Sequence, residues 1–325
     1  MSDENQHWVP KLLLKKFADT DGRVFRLDIH SNAVTKPPPR NAASGPGFNN
    51  FDIEGQVVSF EERLEKVETK AAPVLKRIIE AQSLARLSSV DRKKVAEFVA
   101  AQSFRTEAFY KGLENNPSRK DFGPLFTQLW DSSFILSARI EARHWALMVI
   151  EHDDLFHLGD QPVVLQRTFD PRNGTNLGFD VKGVEAFMPL CPTCALYMPC
   201  RSVSDPLIAS YEAALELHRT VRTVVMRGFG GGSSELATAQ DAIRRGDPLY
   251  QAYTAGVPLK AKPENVENLN YLQCNWAHAA VYSNRRDFTF ARKVFSENPH
   301  YRSTPTTRLL QATALVPETP DTLGG

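Results

Sequence analysis

WALMVIEHDDLFHLGDQPVVL, residues 145–165, is where the hydrophobic period of the chain changes. Ahead of it, apolar residues recur every three or four positions. Within it they crowd together. WALMVIEH (145–152) and FHLGDQPVVL (156–165) read as two buried strands with a polar link at His152 to Asp154. LGFDVKG (177–183), EAFMPLC (185–191) and ALYMPC (195–200) read as further strands. The segment 145–200 is therefore β-rich, with helical sequence on both sides.

Upstream, Ser59 and Glu62 are spaced as a capping box. Phe60, Leu64, Val67, Ala71, Val74 and Ile78 continue from it as a stripe at helical spacing, with Pro73 predicted to kink it. Ser88 and Asp91 open a second helix, expected to run to about Leu113. Its inward stripe is Val95, Phe98, Val99, Gln102, Arg105, Thr106 and Phe109, so polar groups interrupt a buried face. A third helix is expected over 125–143. Downstream, helices are expected over 204–226 and 234–245, and PENVENLNYLQCNWAHAAVYSN (263–284) reads as one long helix. At the start, NQHWVPKLLLKKF (5–17) carries a short helix over about 9–17, and RVFRLDI (23–29) alternates as a strand. The sum is an α+β fold, mostly helical with a central, largely antiparallel β-sheet. Residues 1–302 are expected to form a single domain, and 303–325 a polar, Pro- and Thr-rich tail, partly disordered.

Composition bounds the function. Of 325 residues, 42% are hydrophobic and 24% charged, and the formal net charge is +1. No global field attracts nucleic acid or anionic lipid, so such a partner must be met by a local patch. The sequence has no run of 18 apolar residues, which argues against a membrane partner. Three leucines flanked by Lys11, Lys15 and Lys16 are too few for a signal peptide, and the expected location is cytoplasmic. The four cysteines are then expected as free thiols.

Several motifs carry chemistry on paper. Cys191 and Cys194, with Cys274 and His278, have zinc-ligand types, though the same cysteines also read as small buried residues. RGFGGGSSE (227–235) could cradle a phosphate, but lacks the Lys-Ser/Thr ending of a Walker loop and also reads as a connector. Arg139 and His144 stand five apart, off one helical face. Asp160 with Asp180 and Lys182 is compatible with the PD-(D/E)xK arrangement, or with a turn aspartate and an ion pair. Six basic residues interleave with rings over 285–308, as a phosphate strip or an amphipathic segment. Arg105 and Gln102 differ in kind. A buried guanidinium needs a partner, and Glu68 and Asp160 are the candidates.

Taken together, NQHWVPKLLLKKF, VETKAAPVLKRI, EFVAAQSFRT, FHLGDQPVV, FMPL and NLNYLQCNWAHAAVYS resemble the family called domain of unknown function 4238, over nearly the whole chain. Asp160 and Pro162 fit its Ser-Asp-Asn-Pro motif, whereas Gly159 and Gln161 depart from it. Cys191 stands where the family has serine. The resemblance implies a setting, bacterial defence against phage, more readily than a reaction.

Motif and physics together give an expected site. His7 is the general acid or base, Arg105 binds an anion such as phosphate, and Asp160 orients His7 or binds metal, with Gln6 and Gln102 beside them. Asp160 and Glu68 are the candidate ligands of a divalent metal such as Mg. In the other reading His7 and Trp8 close the core, the histidine bonded to a carbonyl. Two functions follow: a nuclease-like effector hydrolysing phosphodiesters of nucleic acid, or a non-enzymatic sensor triggered by a phage component.

Overall fold

The structure, a computed structural model, describes residues 5–53, 55–114, 127–128, 130–167, 178–227 and 232–302. Strand β1 (Asn5–His7) leads into helix α1 (Lys11–Lys16), where the Pro10 carbonyl accepts the amides of Leu13 and Leu14. Leu13, Leu14 and Phe17 are fully buried. Strands β2 (Phe25–Asp28) and β3 (Val34–Thr35) pair, and β4 (Ser44–Pro46) returns to pair with β1. A ribbon of β5 (Asn50–Ile53) and β6 (Gln56–Ser59) then delivers the chain to α2 (Glu61–Ala81).

Helix α2 buries Leu64, Ala71, Val74, Leu75 and Ile78 along its stripe, with Pro73 inside it. The expected Ser59–Glu62 box does not form. The Ser59 hydroxyl instead accepts the Glu61 amide at 3.4 Å, and Glu62 turns to Lys66 at 2.6 Å. Helix α3 (Ser89–Phe104) does start on its serine, the Ser88 hydroxyl accepting the Asp91 amide at 3.1 Å. It stops at Arg105 rather than running to Leu113, and α4 (Glu107–Glu114) begins separately. The break has a local cause. Gln102 donates to the carbonyl of Arg105, and the Thr106 hydroxyl accepts the Phe109 amide at 3.2 Å, restarting the helix.

Helix α5 (Ser133–Glu141) precedes β7 (Ala146–Val149), and the polar link ends at β8 (Leu158–Gly159) and β9 (Val164–Arg167). Residues 178–183, expected as strand, form turns ending at Gly183, whose φ of +80° suits glycine. Strands β10 (Val184–Cys191) and β11 (Cys194–Pro199) make the buried hairpin. Then come α6 (Arg201–Met226), α7 (Ser233–Ala255), β12 (Leu259–Lys260) and α8 (Pro263–Trp276). The long helix expected over 263–284 ends at Trp276. Its last quarter is β13 (Ala280–Ser283), a fully buried strand between β2 and β8, and α9 (Thr289–Glu297) follows.

The strands assemble mainly into two sheets, β12-β7-β11-β10-β9 and β3-β2-β13-β8, antiparallel except where β12 joins β7. Helices α1, α2 and α3 cover the first sheet, burying Leu13, Val74, Val99, Leu147, Met188 and Leu196 in one cluster. The α+β expectation holds, with the described strands divided among two larger sheets and two two-stranded ribbons. Helices α6 and α7 form an antiparallel arm. Tyr211 stacks on Tyr250 at 4.3 Å and donates to Asp247 at 2.7 Å. The arm's base is pinned at Gly256, which caps α7 with φ +68° and whose carbonyl accepts the Leu84 amide. A Cβ there would lie 2.4 Å from the Ala85 nitrogen, so only glycine fits the turn between α2 and α3. Among the described residues, no helix is long and apolar enough to cross a membrane.

Candidate functional site

The residues 5–8 enter a polar network under α2 and α3. Gln6 is buried. Its Oε1 accepts the Asn49 amide at 2.6 Å and its Nε2 donates to Asn50 Oδ1 at 3.1 Å. His7 is half-buried, with Nε2 3.2 Å from the Pro39 carbonyl, so that nitrogen carries the proton that the bond requires. Trp8 has its amide on the Ala43 carbonyl at 3.0 Å, its ring 5.0 Å from Phe48, and its carbonyl on Gln102 Nε2 at 2.8 Å.

Arg105 completes this network. It is 2% exposed, pairs with Glu68, and has Glu61 Oε2 4.0 Å from Nη2. Glu61 in turn accepts from Asn49 Nδ2 at 2.5 Å, and Tyr110 donates to Asn49 Oδ1 at 3.3 Å. The inward stripe thus finds the carboxylate that a buried guanidinium demands. Burial holds the His7 imidazole below its ordinary pKa. Arg105 and Lys11 push the same way, while the Pro39 carbonyl and Glu61 oppose them. The balance favours the neutral form of the ring.

Asp160 is placed elsewhere. Its two carboxylate oxygens accept the amides of His278 at 2.7 Å, Ala279 at 2.6 Å and Ala280 at 3.0 Å. Those bonds turn the chain from α8 into β13, and the carboxylate neither orients His7 nor meets Glu68. Burial pushes its carboxyl up to about 6, although the three amides pull downward. The neighbour Gln161, not Asp160, reaches the first network, donating to the Thr106 hydroxyl at 3.1 Å. The structure therefore brings together Gln6, His7, Gln102, Arg105 and Glu68, and sets Asp160 apart.

The candidate metal ligands have other partners. Glu68 is spent on Arg105 and Asp160 on backbone amides. Among the described residues, no three His, Cys, Asp or Glu side chains are grouped to hold a metal ion. Cys191 and Cys194 face each other across the β10–β11 turn, while Cys274 is buried in a different cluster with Leu27 and Phe288. Asp180 pairs with Arg139, and His144 bonds Ser204 at 2.8 Å, so neither the Asp-x-Lys nor the Arg/His arrangement assembles. Of RGFGGGSSE, residues 228–231 lie outside the described residues, as do 303–308 of the basic strip and the tail beyond.

The segment around Asp160 is gripped by carboxamides of α8. Asn270 accepts the His157 amide at 2.7 Å, and Gln273 accepts the Gly159 amide at 2.7 Å and donates to the Pro162 carbonyl at 3.1 Å. The polar opening and the Gly-Asp-Gln-Pro segment are thus two places where distant parts of the chain are tied through side chains. A family model described as "Protein of unknown function (DUF4238)" matches residues 5–287. The chain belongs to the DUF4238 family. The DUF4238 match spans both tied segments and both sheets, and stops before α9. No curated protein and no solved structure matches the chain.

Sequence reasoning on the DUF4238 motifs did not find Asn49, Glu61 or Tyr110, which hold Gln6 and Arg105 in place. Asn49 lies in a Pro/Gly/Asn-rich loop and carries no periodic signal. Glu61 sits one position from the misread capping pair.

Proposed function

We propose that this DUF4238 protein is a recognition module, a non-enzymatic sensor whose setting, by the family resemblance, is defence against phage. In this reading Gln6, His7 and Trp8 lock the start of the chain onto α3, and the working surface is the α6–α7 arm. One observation carries it. Among the described residues, α6 beyond Ala214 packs on α7 and presents Leu217, Val224, Val225 and Met226 to solvent, Met226 at 78% exposure. Arg219, Arg222 and Arg227 stand among them. Exposed aliphatic groups set among arginines suit a protein partner with apolar and acidic groups, since Met and Arg are enriched at interfaces.

Phosphodiester cleavage is the second reading, and His7 favours it: a half-buried, unprotonated imidazole can serve as a base. Against it, Arg105 is neutralised by Glu68 and Glu61 and is closed to solvent. The test is phage challenge of expressing cells, with DNA and RNA run on gels. Val224→Glu with Met226→Glu is expected to abolish protection without lowering Tm, and nucleic acid is expected to stay intact. Full protection by that variant, or nucleic acid degraded by the purified protein, overturns the reading.

A further inference from the structure

Away from the arm and from His7, a cavity of about 320 Å³ opens between the β7–β8 link, the outer face of α8 and the loop after β13. That size lies at the lower end of small-molecule pockets, roughly 300–1,000 Å³. Four carboxylates line it: Asp153 and Asp154 from the link, Glu267 from α8 and Asp287 from the loop. Arg285 also lines it, donating to the Asp153 carbonyl at 2.9 Å. Asp154 lies 3.2 Å from His152, and Asp287 accepts the Thr289 amide at 2.9 Å with Arg292 nearby, which leaves Asp153 and Glu267 as exposed carboxylates.

His157 supplies the second observation. It lines the cavity, is 7% exposed, and its Nδ1 is buried with no hydrogen-bond partner. A buried polar atom left unpaired costs free energy, so its persistence here needs a reason. Phe288 packs beside the ring at 5.6 Å, and burial keeps the imidazole neutral. A neutral imidazole offers a lone pair and adds no positive charge to an acidic cavity.

The carboxylates do not converge as metal ligands. They stand around a wall that also contains Leu155, Val266 and Phe290. Dispersed negative charge over an apolar wall fits a cation whose charge sits on a hydrocarbon body, and it repels phosphate. We propose that this cavity binds an aliphatic amine or oligoamine in its ammonium form. The ammonium donors would meet the carboxylates, and the methylene chain would lie on Val266 and Phe290. This proposal does not depend on the arm.

The test is calorimetry and thermal shift of the full chain with spermidine and putrescine, against 1,4-butanediol and MgCl2. Saturable binding of the amines and none of the diol is expected. Asp153→Asn with Glu267→Gln, both at exposed positions, is expected to weaken spermidine binding about tenfold with unchanged Tm in its absence. His157→Asn, which restores hydrogen-bonding atoms without an imidazole, is expected to weaken it as well. Absence of amine binding, Mg²⁺ binding as tightly as spermidine, or a double variant within twofold of wild type would each overturn the proposal.

Discussion

Gln102 donates a hydrogen bond to the carbonyl of Trp8 over 2.8 Å, joining the buried face of α3 to a segment 94 positions earlier in the chain. Gln102 is 2% exposed, so its loss strands an acceptor away from water. Gln102→Leu is expected to lower unfolding stability by about 1–3 kcal/mol. Urea denaturation followed by circular dichroism measures it, and an unchanged midpoint contradicts the tie.

Arg105 and Glu68 should behave as a pair. Removing one partner of a buried ion pair typically costs about 3–5 kcal/mol, and replacing both costs less. Glu68 is the more exposed partner, which places its single change below that range. Arg105→Met is expected to be strongly destabilising, Glu68→Gln less so, and Arg105→Met with Glu68→Leu to recover part of the loss. A double-mutant cycle reads the coupling, and strict additivity would show that Arg105 is held by something else.

Asp160 and His157 are shifted by burial in opposite senses. The Asp160 carboxyl rises from 3.8 to about 6 in the fold, so its contribution is present below 3.8 and is lost as pH climbs to 6. The His157 ring falls from 6.5 to about 4, so its contribution is present above 6.5 and is lost as pH drops to 4. Each is worth about 3 kcal/mol, with opposite slopes between pH 4 and 6. Relative to wild type, stability of Asp160→Asn should rise more steeply with pH over that window. Stability of His157→Asn should rise less steeply. Denaturant midpoints at pH 4, 5 and 6 separate the two, and parallel curves for all three proteins would contradict the assignment.

Gly159 stands where the motif that the sequence resembles has serine, and the packing at this position suits glycine. A Cβ at 159 would sit 2.8 Å from the Gln273 carbonyl oxygen, on the backbone of α8. Gly159→Ser is therefore expected to cost about 1–3 kcal/mol, as overpacked sites do, despite matching that motif. A melting curve equal to wild type would mean that α8 moves aside without penalty.

Much of the fold could be read where the signal is local. The stripe of α2, the Ser88–Asp91 start of α3 and the apolar runs of β10 and β11 depend on neighbours within a few positions. What could not be read depends on residues far apart. Nothing near Ala280 says strand; the helix stops because Asp160, 118 positions upstream, takes the amide of His278. The site divides the same way. Arg105 on an inward stripe demands a carboxylate, and Glu68 on the preceding helix supplies it. Placing Asp160 beside Arg105 and His7 needs a tertiary distance, which pattern does not encode. The His157 cavity left no trace, because its walls come from three separate segments.

In the proposed reading the polar opening of the chain holds the fold and performs no chemistry. That role is tested most directly by comparing wild type and His7→Ala for unfolding midpoint and for cleavage of labelled RNA and DNA. Losing the bond to the Pro39 carbonyl is expected to lower stability by about 1 kcal/mol, with neither protein cleaving either substrate. Cleavage by the wild type that disappears in a His7→Ala protein of unchanged midpoint would contradict it.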